Sequence, residues 1–242
     1  MEMSRSAESG IIRLPDVLIR GTWSQHTSPQ AMFKKICIII AGITPITAIS
    51  QDGVKPLDFP DKWTLADPKA WAWEKSDAGP VLSLKQQSEF ISEVRRPRNL
   101  AWFDGRTWGS FRLTAEVRLD LFNDGNNDVC VAFGQTSETK FYYAHLGETA
   151  DGVHLHLHMV NDADRQPITK TRVDSLPWKP EHWHKLVIER DLDAGTIRVW
   201  FDGNEVLAAV DRTLGEGKIG LGSFDDLGSF RAVTITQVKA DG

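Results

Sequence analysis

The chain has 242 residues and a formal net charge of −5 at pH 7; the length suits one generous domain or two very small ones, and the charge disfavours nucleic acid and anionic membrane as partners. A content of 41% hydrophobic and 25% charged residues excludes wholesale disorder. Nine tryptophans are many for this length and suit a buried core and a sugar platform equally, since each indole offers a large rigid apolar face.

The first fifty residues read as a leader rather than as fold. Met32-Phe33-Lys34-Lys35 precedes the apolar run 36–43, and a Pro45 break leads to the small-x-small site Ala48-Ile49-Ser50. That order is a secretory signal. The run is shorter than the roughly 20 residues a bilayer span needs, and no cysteine directly follows it to take a lipid. Residues 1–31 carry no sustained period and read as an over-extended gene start, with Met32 as initiator; a long n-region and a chance apolar helix in a cytosolic chain are the alternatives. The expectation is a secreted or periplasmic protein with a single domain over 51–242. Cys37 falls in the signal, so Cys130 alone remains, without an internal disulfide and with the look of an inert core thiol.

In chain order, weak strands are expected at 63–65, 71–74 and 81–84. Phe111, Leu113, Ala115, Val117 and Leu119 then interleave with polar residues, one dry face and one wet. The oxygen-rich run 123–128 lacks the closing Glu of a calcium loop and reads as a hairpin loop. Strands at 128–133, 141–145, 153–160 and 183–190 follow, the last closed by a turn cluster at 191–195. Asp202-Gly203 joins strands at 196–201 and 205–210 as a hairpin, and strands at 218–224 and 230–238 end the chain. No window keeps a helical period. The pattern is all-β: a two-sheet antiparallel jelly-roll sandwich.

The stretches Trp183-His184-Lys185-Leu186-Val187-Ile188 and Gly195-Thr196-Ile197-Arg198-Val199-Trp200-Phe201-Asp202-Gly203, with Gly217-Lys218-Ile219-Gly220-Leu221-Gly222, resemble the laminin-G and concanavalin A-like jelly rolls. More particularly they resemble the 3-keto-disaccharide hydrolase domain, which is filed near the family 16 glycoside hydrolases. The resemblance spans roughly residues 60–240 and implies a sugar ligand and, for that domain, a substrate oxidised at C3. The Glu-x-Asp-x-Glu run of family 16 is missing. A retaining mechanism needs two carboxyl groups about 5 Å apart, and the adjacent pair Asp225-Asp226 would point to opposite faces of a strand.

The sharpest local feature is Val153-His154-Leu155-His156-Leu157-His158-Met159-Val160. On a strand, the three histidines share one face and Leu155, Leu157 and Met159 the other. Three readings stay open: a metal site with His145 as a further ligand, a catalytic or sugar-contacting face, and a plain wetted sheet face. His154 and His156 are the candidate bases; Tyr143, His145, His158, Asn161 and Arg165 are the candidate substrate contacts. No cofactor is certain; a divalent ion, calcium or zinc, is the candidate, calcium near Asp225 or Asp226 only by analogy with other sandwiches. The partner is carbohydrate in either functional reading, a 3-keto-glycoside hydrolase or a binding and adhesion module using exposed Trp102, Trp108 and Trp178. Oligomeric state is not legible.

Overall fold

The computed structural model describes residues 55–57, 59–121 and 125–238; the expected leader and the segment before it lie outside the described residues. The strands are β1 (Lys55–Pro56), β2 (Trp63–Leu65), β3 (Trp71–Ser76), β4 (Gly79–Leu84), β5 (Asn99–Trp108), β6 (Phe111–Leu119), β7 (Asp128–Ser137) and β8 (Lys140–Gly147). They continue as β9 (His156–Asn161), β10 (Gln166–Pro167), β11 (Thr169–Arg172), β12 (His184–Asp191), β13 (Thr196–Phe201), β14 (Asn204–Val210), β15 (Gly217–Ser223) and β16 (Gly228–Gln237). A single 3₁₀ turn at Pro68–Ala70 is the one helical element among the described residues, so no helix there is long and apolar enough to cross a membrane.

All strand pairs are antiparallel and fall into two sheets. The nine-stranded sheet runs β11-β14-β13-β12-β6-β16-β4-β3, with β1 also paired to β16. The seven-stranded sheet runs β10-β9-β8-β7-β15-β5-β2. β6 shows how sequence makes this architecture: its apolar residues are buried at every second position and the residues between are half-exposed, as a pleat with one covered face requires. Its dry face meets that of the other sheet, so that Leu113, Ile188 and Val199 pack with Val131, Phe133 and Leu221 in one core. Each such side chain contributes about 1.5–3 kcal/mol by leaving water. The β13–β14 hairpin turns on Asp202 (φ 48°) and Gly203 (φ 84°), the two positive φ values of a type I′ turn.

Three expectations are corrected. The loop after β6 is not a hairpin loop, because β6 and β7 lie in different sheets and the chain crosses between them. β5 and β11 escaped the period-two reading; Asn99, Leu100, Ala101, Trp102 and Phe103 are all buried and the next four residues all exposed, so β5 shows no alternation. The strand expected over 153–160 begins only at His156. Residues 151–155 form a bend, in which Asp151 Oδ1 accepts the backbone N–H of Val153 at 2.7 Å and of His154 at 2.6 Å, and Leu155 takes a left-handed φ of 56°.

The outer face of the seven-stranded sheet is covered, not open. A second apolar cluster of Leu100, Trp102, Cys130, Ala132, Phe141, Tyr143 and Val160 lies there, with Val94 and Phe224 packed against it. The segment before β5 is its roof. The Arg96 guanidinium lies 5.6 Å from the Phe141 ring centre, and Arg95 is tied to the loop after β9 by N–H bonds to Asp164 Oδ1 (2.8 Å) and from Arg165 (3.0 Å).

Candidate functional site

β7, β8 and β9 carry the candidate residues to one end of that roofed face. Tyr143 and His158 are direct cross-strand partners, as are His145 and His156. The alternation expected for β9 holds from His156 onward, with Leu157 turned into the main core and His158 and Val160 to the outer face. Side chains at such opposed positions touch: the Tyr143 and His158 rings stack at 5.0 Å and 14°, and the His145 ring lies 5.9 Å from His158.

A sugar-contacting or wetted sheet face was expected here, and this is corrected: Tyr143, His145 and His158 are at most 1% exposed. Phe224 closes over them, 5.2 Å from His145, with the Arg165 guanidinium 4.1 Å above the Phe224 ring. Arg165 therefore joins the cluster from the loop side. Asn161 does not; it is exposed at the far end of β9. Trp102, Trp108 and Trp178, expected as an exposed platform, are buried at 7%, 3% and 8% exposure, because the indole is the largest apolar surface available to a core.

The bend at 151–155 decides which nitrogen does what. The Val153 carbonyl accepts from His145 Nδ1 at 3.1 Å and from His158 Nε2 at 2.8 Å, which places the proton on those nitrogens. His158 stays neutral: burial drives its pKa down to about 3, aided by His145 and Arg165 and only partly offset by the Val153 bond. His156 spends both ring nitrogens, Nδ1 on Thr169 Oγ1 at 3.0 Å and Nε2 accepting from the Arg172 guanidinium, which also donates to the Asp151 carbonyl at 2.7 Å. Burial and the nearby Arg172 lower its pKa as well.

His154 is different. Its Nδ1 is held by Asp151 Oδ2 at 2.7 Å and a quarter of its side chain is exposed. Burial pushes the Asp151 carboxyl up, but the N–H groups of His154 and Val153 and the imidazole outweigh that and hold it well below the usual carboxylate range. An ionised carboxylate on Nδ1–H leaves the Nε2 lone pair as the free base, the arrangement of a carboxylate-oriented imidazole. Gly147 makes room for it: a Cβ there would meet His154 Cβ at 2.6 Å.

Behind His154, whose ring is 5.0 Å from that of His145, buried polar atoms collect without hydrogen-bond partners. They are Asp128 Oδ2, Tyr143 Oη, His145 Nε2, His158 Nδ1 and Arg165 Nη1. Native interiors pair the great majority of such atoms, so a concentration of exceptions marks a place with a job to do. Two sets of three ligand-type groups gather among the described residues: Asp128, Cys130 and His145, all buried, and Asp128, Asp225 and Asp226. Of the expected imidazole ligands, only His145 belongs to either. Asp225 and Asp226 lie beyond the end of β15, in a bend rather than on a strand, so the opposite-face argument does not apply to them. The sequence signal missed was Asp128-x-Cys130, alternate positions on one strand face opposite His145.

A second polar feature lies on the other sheet. Leu84, Lys85, Arg118, Asp120, Glu181 and Leu227 line a cleft of about 410 Å³. Arg118 Nε donates to Asp120 Oδ1 at 2.6 Å, and half-buried Trp183 lies under the guanidinium groups of Arg231 (4.2 Å) and Arg118 (4.8 Å). The sequence gives no local signal for this cleft, whose residues come from four separate segments.

No protein-family model and no curated protein sequence matches the chain. Solved structures do match in fold. The carbohydrate-binding module CBM66 from Bacillus subtilis superposes with a TM-score of 0.53 at 14% identity, over 73% of this chain and 96% of that one. A putative glycosyl hydrolase from Parabacteroides distasonis gives 0.52 at 15% identity, over 77% and 100%. A β-1,3-1,4-glucanase (lichenase) from a mouse hindgut metagenome gives 0.51 at 14%, over 77% and 99%. The chain is thus an antiparallel jelly-roll sandwich of the concanavalin A-like kind.

Proposed function

We propose that this is an exported carbohydrate-active sandwich that cleaves glycosides already oxidised at C3, with His154 as general base. The observation that carries the reading is the Asp151–His154 pair, a partly exposed imidazole with an oriented, unspent Nε2 at the edge of the buried polar cluster. The sugar-directed names of proteins with the same fold support a carbohydrate ligand.

A 3-ketone acidifies the C2 proton. His154 Nε2 takes that proton, the electron pair moves onto the ketone oxygen as an enolate, and its return expels the C1 substituent. The imidazolium protonates the leaving oxygen, and water then adds across the C1–C2 double bond. This route needs one base and a stabiliser for the enolate rather than two carboxylates, in keeping with the missing Glu-x-Asp-x-Glu run. Arg165, beside the Tyr143 hydroxyl, is the cationic stabiliser in this reading, and Arg172 ties the bend to His156 by donating to the Asp151 carbonyl and to His156 Nε2.

The test is turnover of a 3-keto-disaccharide by the purified protein. His154→Ala should lower kcat/KM by about 10²–10⁴, the usual worth of a positioned base, and Asp151→Asn by a smaller factor, with thermal midpoints close to wild type for His154→Ala. Equal turnover by wild type and His154→Ala sinks the assignment.

A second reading, a non-catalytic glycan-binding module, is favoured by the Arg118–Asp120 cleft beside Trp183. It predicts glycan affinity that Arg118→Ala abolishes, with no product formed from any disaccharide.

A further inference from the structure

We propose that Asp128, Cys130 and His145 bind a zinc ion, with the Asp225 carboxylate completing the set from the surface side. This goes beyond the catalytic reading and does not depend on it.

The argument begins with the tautomer. His145 gives its Nδ1 proton to the Val153 carbonyl, so a neutral ring presents a lone pair at Nε2. That atom lies 2.9 Å from Asp128 Oδ2, both residues 1% exposed, yet neither atom has a hydrogen-bond partner. At that distance the failure is one of direction. A shared proton would require the oxygen near the in-plane axis of the ring nitrogen; two ligands of one ion lie off each other's axes, around the ion.

Cys130 supplies the third donor. It follows Asp128 by two residues on β7, so both face the same side of the strand, and the ligand atoms of Asp128, Cys130 and His145 all lie within 4.8 Å of one another. The thiol is wholly buried, 3.9 Å from Asp128 Oδ1, and its neighbours leave it no disulfide partner among the described residues. The Asp225 carboxylate lies within 4.8 Å of that of Asp128, in the neighbouring carboxylate set rather than the buried one, and being exposed it is free to swing in as the fourth ligand and gives an ion a way in.

Donor chemistry chooses the metal. Thiolate, imidazole and carboxylate together are the ligand types of zinc, whereas calcium and magnesium take oxygen alone. One thiolate and one carboxylate from Cys130 and Asp128 neutralise a doubly charged ion at a neutral imidazole, so the buried group carries no net charge. The extra charge of Asp225 is at the surface, and Arg165, close enough to act electrostatically on Cys130, offsets it. His145 also makes the bond that orients a zinc-bound imidazole, from its other nitrogen to a backbone carbonyl.

The experiment loads the purified chain with zinc, removes free metal and measures metal content, then repeats the titration with cobalt(II) as a spectroscopic probe. One zinc per chain and a thiolate-to-cobalt charge-transfer band are expected. Cys130→Ser should abolish the band and weaken zinc binding about 10²-fold, and Asp225→Asn, at an exposed position, should weaken it about tenfold while keeping the band. Zinc retained well below one per chain, a cobalt complex lacking the thiolate band, or affinity unchanged in Asp225→Asn would each overturn the assignment. If Cys130→Ser does not fold, the wild-type band and the Asp225→Asn affinity still decide.

Discussion

At the scale of single residues, Arg190 and Tyr142 form a buried polar network apart from the candidate site. Arg190 is 1% exposed, and burying a guanidinium is costly unless its charge and donors find partners; Nε has none, but both terminal nitrogens do. Its Nη1 donates to the Gly215 carbonyl at 2.8 Å, Nη2 donates to that of Leu214, and its charge lies 5.1 Å from the Tyr142 ring centre. The Tyr142 hydroxyl donates to Asp211 and accepts the Leu214 N–H at 2.8 Å. Burial and the Asp211 carboxylate push the Tyr142 pKa up to about 12, so folding favours the neutral phenol. A folded pKa raised above the unfolded value of about 10 gives stability that is complete below pH 10 and is lost as pH rises toward 12. By linkage the loss is about 1 kcal/mol at pH 11. Urea midpoints from pH 8 to 11 should fall more steeply for wild type than for Tyr142→Phe; parallel slopes would mean that the phenol is not buried.

At the scale of elements, the β8–β9 connection shows both what was legible and what was not. The alternation of β6, the Asp202-Gly203 turn and the outer-facing His156 and His158 could be read directly, because period two and turn chemistry are local. The bend at 151–155 could not. Asp151-Gly152 is a turn signal, but the alternating Val153-His154-Leu155 that follows competes with it, and the tie is broken by Leu155 entering the core at 0% exposure. The first half of β5 was hidden for the opposite reason: from Asn99 to Phe103 it is buried on both faces and has no polar phase. The site was half legible, since the imidazole run was visible whereas Asp151 as the orienting partner and Asp128-x-Cys130 as neighbours of His145 depend on the fold. Gly147 is where this connection is most fragile. A methyl group there would meet both His154 Cβ at 2.6 Å and Asn126 Oδ1 at 3.1 Å, and a Cβ cannot swing aside as a side-chain tip can. Gly147→Ala should cost about 1–3 kcal/mol, as overpacking does, and should lower turnover of a 3-keto-disaccharide by displacing His154. A variant with wild-type stability and activity would show that the bend is not held against β8.

At the scale of the whole molecule, the sandwich has a second, smaller core outside its two sheets, and this governs where a ligand can go. The seven-stranded sheet would offer Trp102 as a platform if its outer face were bare. Instead Trp102 packs edge-on to Phe141 at 5.3 Å and lies directly on β15, where a Cβ at Gly220 would meet its ring at 2.6 Å. The two readings of that face predict different losses. Removing a platform residue weakens binding and leaves stability alone; removing a core indole costs about 3–5 kcal/mol. Trp102→Ala should therefore lower the denaturant midpoint by that larger amount. Gly220→Ala should also destabilise, by crowding the indole, but should do so much less in the Trp102→Ala background, where the ring is gone. The double-mutant cycle should give a coupling of about 1–3 kcal/mol, in the range expected for residues in contact. Strict additivity would mean that Trp102 does not rest on Gly220, and the outer face would again be open to a glycan.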